Sequence, residues 1–246
     1  MSSEKREAFL ENVKALRRML IVCLIGIAVI FLVLFYCFCD PLMDFLLAPV
    51  RSRGIDMIAT AVSEALLTRF KVCLVGAVVF AMPLILQQIM SFVLPALYPK
   101  EQKTFILLFL TALLLFAAGV IFCYLYVFPL AINLFRDSAE GMASTLWSVE
   151  QYYNFVLSFV LPFGLMFEMP VLLYMLARHG KVDYKKLAGF RKYVLLIIVT
   201  IAAILTPPDV VSQIMLALPM YFLYEISVQI VRFVKPRQSG EILQES

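Results

Sequence analysis

The chain has 246 residues, of which 63% are hydrophobic and only 15% charged. A soluble domain of this size carries about 45–50% apolar and about 25% charged residues, so the apolar excess is more than one core can hide and a bilayer must cover the rest. The net charge of +4 is too small, and too concentrated at the ends of apolar runs, for nucleic-acid binding.

The N-terminal segment is basic, with Lys5, Arg6, Lys14, Arg17 and Arg18, and opens directly into an apolar run over Met19–Cys39. Arg17-Arg18-Met19-Leu20 has the look of a twin-arginine export signal. A signal, however, has an apolar stretch of about 7–15 residues and a small-residue cleavage site. This run ends at Asp40-Pro41 without one, so it reads as a permanent span. Residues 40–68 carry Leu42, Phe45, Leu46 and Leu47 between two prolines and predict a short helix on the membrane surface.

Spans are predicted next over residues 72–90, 105–128 and 152–177, each near the roughly 20 residues that a 30 Å hydrocarbon core requires. Residues 129–150, with Pro129, Arg136 and Trp147, read as a capped connection bearing an interfacial aromatic. A basic loop follows, in which Asp183 is placed to N-cap a helix, with Val182 and Leu187 at hydrophobic-staple positions. The last two runs, 193–206 and 210–231, are short in uncharged length, the second being interrupted at Glu225. Only Pro207, Pro208 and Asp209 separate them, which predicts a tight membrane hairpin. Such short spans require the bilayer to thin or another protein to cover the mismatch.

With six spans, sixteen of the 21 basic residues fall on the side of the N-terminus and five on the other. Basic residues stay on the cytoplasmic side, so both termini are expected inside. The expected fold class is an all-α integral membrane protein of six transmembrane helices in one polytopic domain. No internal repeat or separate soluble domain is visible.

Glu168, in Phe167-Glu168-Met169-Pro170, falls near the middle of the fourth span. A carboxylate there costs at least about 2.5–3.5 kcal/mol on insertion scales, which makes it a candidate for partner or substrate contact. A bond to a backbone carbonyl freed by Pro170 is the bland alternative. Glu225 lies two helical turns before Arg232, so pairing between them or snorkelling is expected. Gln87, Gln88 and Gln213 offer interhelical hydrogen bonds. Pro83, Pro162, Pro170 and Pro219 should curve or kink four spans. Cys23, Cys37, Cys39, Cys73 and Cys123 give neither a disulfide framework nor a metal spacing, though Cys37 and Cys39 are near enough to pair adventitiously. His179 stands alone, so no metal, cofactor or catalytic constellation is expected.

Several fragments occur together in order. They are Ser91-Phe92-Val93-Leu94-Pro95-Ala96-Leu97-Tyr98 with Glu101, Phe163 to Val171 around Glu168, Arg191-Lys192-Tyr193, and Leu205-Thr206-Pro207-Pro208-Asp209 with Ser212, Gln213, Ala217, Pro219 and Glu225. Ala48-Pro49, Ile58-Ala59-Thr60, Glu64, Lys71, Gly119, Tyr124 and Pro129 extend the pattern over nearly the whole chain. In this pattern the chain resembles the TatC family of twin-arginine translocase subunits. The resemblance implies a glove-shaped, concave scaffold of six helices in the bacterial inner membrane. It implies export of folded proteins on the protonmotive force, without enzymatic activity, beside small single-span TatA-type and TatB-type partners and further copies of itself in the lipid.

By the same resemblance, the inner N-terminal segment and first inner loop bind twin-arginine signal peptides, with Arg17, Phe92, Pro95, Leu97, Tyr98 and Glu101 as candidate residues. Glu168, Gln213, Thr206, Pro207, Pro208 and Asp209 are candidates for partner contact within the membrane, and Pro49 and Glu64 are matched outer-loop positions. The family usually has a glutamate where this chain has Ala15. If residues 4–18 are helical, Glu11 lies one turn earlier on the same stripe and can supply that acid, or can merely pair with Lys14 or Arg18. A rival reading of Glu168 is the coupling site of a proton-driven secondary transporter, which would be expected to show internal repeats.

Overall fold

The computed structural model describes residues 3–55, 57–58, 62–93, 102–139, 147–178, 180, 182–205 and 210–234, and the side chains of 3–9, 11, 12, 62, 92, 93, 102–105, 138 and 139 lie outside the description. The described chain is helical apart from two short strands and a few turns. Helix α1 (Ser3–Val33) continues through a π-helical turn, Leu34–Phe38, into α2 (Cys39–Arg51). Helix α5 (Gln102–Phe122) likewise passes through a π-helical turn, Cys123–Val127, into α6 (Phe128–Ala139).

Both wide turns have the same physical cause. A proline lacks the N–H that would bond the carbonyl four residues back, and those carbonyls, Cys37 for Pro41 and Leu125 for Pro129, lie inside the two turns. A π turn bonds five residues back instead, as the Phe128 N–H does to the Cys123 carbonyl. Each long rod is thereby re-phased without being broken.

Two other prolines do break their helices. Helices α3 (Val62–Phe80) and α4 (Met82–Val93) meet at Ala81, just before Pro83, with a bend of 45°. Helices α7 (Val149–Phe167) and α8 (Met169–Arg178) meet at Glu168, two residues before Pro170. Pro162 and Pro219, by contrast, sit inside continuous helices, α7 and α10 (Val210–Phe233). Helix α9 (Tyr184–Leu205) precedes α10, and both are longer than their uncharged runs, at 22 and 24 residues. Among the described residues five continuous helical segments are long and apolar enough to cross a membrane, and the bent α3–α4 pair makes a sixth if it is one span.

Helix α7 is the hub of the core. Its Tyr153, Val156, Phe159 and Phe163 are fully buried, packed among α3, α5 and α10. The core extends to Leu216, Tyr224 and Val228 of α10 and to Leu46 and Val50 of α2. Helix α1 is peripheral: it packs on α3 and α4, yet only 6% of its apolar window is buried, against 44% for α7–α8.

The end carrying α2, α6 and the strands is the one that the charge distribution assigns to the outside. Strand β1 (Met57–Ile58) pairs in parallel with β2 (Trp147–Ser148), Met57 opposite Trp147 and Ile58 opposite Ser148. The surface helix expected over 40–68 is realised as α2, but as part of the core: Leu46 and Val50 are buried, and Phe45 stacks on Tyr124 at 4.4 Å. Of the expected connection over 129–150, residues 129–139 are helix α6. Its Trp147 is half-buried and meets Phe135 edge to face instead of standing free at the interface.

Candidate functional site

The sequence-predicted residues fall into three places: the outer end, the middle of α7–α8 and the α9–α10 hairpin, and the inner end. At the outer end, Glu64 in the first turn of α3 is almost fully buried. Its carboxylate accepts the Glu150 backbone N–H at 2.8 Å and the Ser148 hydroxyl at 3.1 Å. Those groups belong to the N-terminus of α7, where backbone donors have no intrahelical partner, so Glu64 caps that helix from another element. Ser148 caps it locally, accepting the Gln151 N–H. Two turns along α3 from Glu64, Lys71 donates to Glu150 at 2.9 Å and to Asn154 at 3.1 Å.

Pro49 lies within α2 and removes the donor that would satisfy the Phe45 carbonyl. The Tyr124 hydroxyl donates to that carbonyl at 2.9 Å. Tyr152 and Tyr153 donate in the same way to the carbonyls of Leu46 and Met43, at 2.7 and 2.9 Å. The Pro49 carbonyl itself accepts from Arg53, which also donates to Asn133 at 2.9 Å. Pro49 thus leaves the Phe45 carbonyl to Tyr124, and Glu64 ties α3 to α7. The tyrosine contacts went unforeseen: Tyr124, Tyr152 and Tyr153 lie far from α2 in the sequence, and only the interior proline signalled a carbonyl in need of another donor.

Glu168 occupies the turn between α7 and α8 and is 6% exposed. Its N–H bonds the Leu165 carbonyl at 3.1 Å, and its own carbonyl accepts Leu172 N–H at 3.0 Å. The side-chain Oε1 is buried with no hydrogen-bond partner among the described residues, so a bond to a freed carbonyl does not satisfy both oxygens. Helix α5 comes close to this break because Gly119 faces it. A Cβ at Gly119 would lie 2.9 Å from the Phe163 carbonyl oxygen and from the Phe167 ring, and one at Gly164 would lie 2.5 Å from Phe116. A buried carboxyl so placed can exchange hydrogen bonds with a group brought to it from outside the chain.

In the hairpin, Gln213 donates to the Val199 carbonyl at 3.1 Å and joins α10 to α9. Glu225 pairs with Arg191 of α9, not with Arg232: Arg191 Nε donates at 3.0 Å, and a second guanidinium nitrogen bonds the other carboxylate oxygen. The fork geometry of guanidinium and carboxylate favours this partner, and Arg232 instead lies over the Tyr184 ring at 5.7 Å. Tyr224 donates to the Leu187 carbonyl at 2.9 Å, closing the inner end of the hairpin. Thr206, Pro207, Pro208 and Asp209 lie outside the described residues.

At the inner end, α1 is helical through residues 4–18, so Glu11 and Ala15 share the expected stripe; Arg17 is exposed. The side chains of Glu11 and Phe92 lie outside the description, and Pro95, Leu97, Tyr98 and Glu101 lie outside the described residues. Gly26 of α1 packs on Leu84 of α4, where an added Cβ would meet Leu84 Cδ1 at 3.0 Å. That packing brings the C-terminal end of α4, which bears Phe92, down the flank of α1. In the basic loop, Asp183 caps α9 as expected, accepting the Lys186 N–H at 2.8 Å. Among the described residues no group of three or more His, Cys, Asp or Glu could hold a metal.

Residues 11–219 match the family model for the Sec-independent protein translocase protein TatC. The Sec-independent protein translocase protein TatC of Carboxydothermus hydrogenoformans is 37% identical over 240 residues, covering 97% of this chain and 98% of that protein. The TatC of Escherichia coli K12 is 35% identical over 236 residues, covering 95% and 91%. A crystal structure of the twin-arginine translocase receptor TatC superposes with a TM-score of 0.85 at 36% identity, covering 90% of this chain and 98% of that one.

Proposed function

The chain belongs to the TatC family, the multi-pass and non-enzymatic membrane components of Sec-independent protein translocation, and from that premise we propose that it is the receptor and scaffold of a twin-arginine translocase. It binds twin-arginine signal peptides at its inner face and gathers TatA-type and TatB-type single-span subunits, together with further copies of itself, to pass folded proteins on the protonmotive force. It does so in the bacterial inner membrane, with six spans and both termini in the cytoplasm. The observation that carries this reading is the likeness, over 90% of the chain, to a solved translocase receptor.

Two guanidinium groups on a peptide call for carboxylates in fork geometry. Glu101, and Glu11 on the α1 stripe that bypasses Ala15, are the anions assigned to them, with Arg17, Phe92, Pro95, Leu97 and Tyr98 forming the rest of the surface. Each charge-assisted contact contributes about 1.5–3 kcal/mol before solvent and salt weaken it. Glu168, Gln213, Thr206, Pro207, Pro208 and Asp209 are assigned to contact with the partner subunits. Glu168 acts there as a neutral donor and acceptor, because mid-membrane desolvation penalises its ionised form. Capture of the purified protein by a peptide with two arginines, against one with two lysines, tests the reading. Preferential capture by the arginine peptide is expected, and equal capture by both, or by neither, would remove it.

A further inference from the structure

Helix α8 ends on Arg178, one turn after Tyr174, and the two side chains share a face of it. The guanidinium donates to the Tyr174 hydroxyl at 3.2 Å. A hydroxyl that accepts in this way keeps its own proton to give, and a guanidinium has more N–H donors than this one bond requires. Both residues line a recess of about 520 Å³, whose other wall is Ile230, Phe233 and Val234 at the end of α10. One side of the recess is thus a set of hydrogen-bond donors around a fixed positive charge, and the other is apolar. The charge around it is mainly positive: Lys185, Lys186 and Arg232 are exposed at the same end of the molecule, against an exposed Asp183, while Glu225 is matched by Arg191. From the recess an exposed apolar stripe, Phe233, Ile230, Ile226 and Phe222, runs back to the middle of α10, with Phe233 82% exposed at its mouth. A free anion would use the donors and leave the stripe idle. A molecule with both a phosphodiester headgroup and an acyl chain uses both.

We propose that the recess between the ends of α8 and α10 is a binding site for an anionic phospholipid of the phosphatidylglycerol class. Its phosphodiester accepts from the Arg178 guanidinium and from the Tyr174 hydroxyl, the charge-assisted bonds that a guanidinium gives best. One acyl chain lies along Ile230, Ile226 and Phe222. Basic pockets between membrane helices hold anionic headgroups in this way, and the surrounding positive charge favours a lipid with net negative charge over a zwitterionic one. The site goes beyond the receptor reading: it needs only that the chain spans a membrane, and neither a signal peptide nor a partner subunit takes part in it.

The test uses the full chain in phosphatidylcholine vesicles that contain a small share of phosphatidylglycerol carrying a photoreactive diazirine on its headgroup. After illumination the labelled peptides are mapped by mass spectrometry. Label is expected at the end of α8 and over residues 230–234, and it should fall when unlabelled phosphatidylglycerol is added but not when phosphatidylcholine or inorganic phosphate is. Arg178→Gln removes the charge that the phosphodiester meets and should lower that label about tenfold, and Tyr174→Phe should lower it by a smaller factor. Lys185→Gln, outside the recess lining, should leave it within about twofold. Label spread evenly over the basic segments, or lowered equally by Lys185→Gln and Arg178→Gln, would mean attraction by charge alone and would overturn the proposal. So would displacement by inorganic phosphate, which would leave the apolar stripe no part in binding. The map and the competition on the unmodified protein decide the matter even if a variant fails to fold.

Discussion

The outer end of the molecule and the α9–α10 hairpin are built from the same apolar helices but are held in different ways. At the outer end α2, α3, α6 and α7 are joined by side chains that reach from one element to another: three tyrosines on α2 carbonyls, Glu64 on the α7 N-terminus, Lys71 on Glu150 and Asn154, Arg53 on Asn133. In the hairpin the side-chain bonds of Gln213 to Val199, Tyr224 to Leu187 and Arg191 to Glu225 join α9 to α10, while α10 meets α7 and α8 through apolar packing. The hairpin's outer faces stay apolar and bare, with Ile204 and Leu218 78% and 66% exposed. Cross-element polar bonds hold helix ends in one arrangement, whereas a bare apolar face in a membrane is free to exchange lipid for a partner helix. The first region reads as a fixed frame, the second as an assembly edge.

The largest effect should come from breaking the frame. Glu64→Ala leaves a backbone N–H and a hydroxyl without their acceptor at a buried helix end, and should cost about 3 kcal/mol of stability, read by thermal unfolding in detergent. Glu64→Gln keeps an acceptor and should lose less than half of that. A substitution in the hairpin that leaves the Arg191–Glu225 pair intact, such as Ile204→Ala, should move stability by under about 0.5 kcal/mol.

Next in size is the acid between α7 and α8. Glu168→Gln preserves a neutral donor and acceptor and should retain most export, while Glu168→Ala should lower it about tenfold or more, the equivalent of about 1.4 kcal/mol. Export assays on membranes with matched protein levels check this. Equal loss in both variants would instead assign Glu168 a titrating role.

The third test sharpens the account of the frame. If Pro49 matters because it frees the Phe45 carbonyl, then Tyr124→Phe should cost about 1 kcal/mol in the parent and markedly less in a Pro49→Ala background, where a backbone N–H returns to that carbonyl. A double-mutant cycle on thermal stability reads the coupling. Additive losses would separate the two residues.

How much of this was legible beforehand depended on whether a feature is local. The apolar runs, the Asp183 cap and the breaks at Pro83 and Pro170 follow from spacing and from proline's missing donor, and they stand in the structure. Pro162 and Pro219 follow the same rule, yet their helices stay continuous, so a proline marks a place where a helix can break without deciding that it does. Glu225 shows the limit most clearly. Its own helix offers Arg232, but the better partner is Arg191, 34 residues away, and only the α9–α10 contact reveals it.

The smallest of these effects concerns the assembly edge. Single cysteines at Ile204 and Leu218 should crosslink to a small single-span subunit several-fold more than one at Leu24, which is equally apolar and 72% exposed on α1. Uniform crosslinking would remove the distinction between the hairpin and the rest of the lipid-facing surface.

The division of labour between a fixed outer frame and an inner face that recognises cargo is tested most directly by signal-peptide affinity, measured at two salt concentrations for Glu11→Gln, Glu101→Gln and Glu64→Gln. The account predicts that the two inner substitutions weaken binding of the twin-arginine peptide and flatten its salt dependence, while Glu64→Gln, at the far end of the molecule, leaves the affinity of the folded protein unchanged. Loss of binding in Glu64→Gln, with affinity intact in both inner variants, would contradict it.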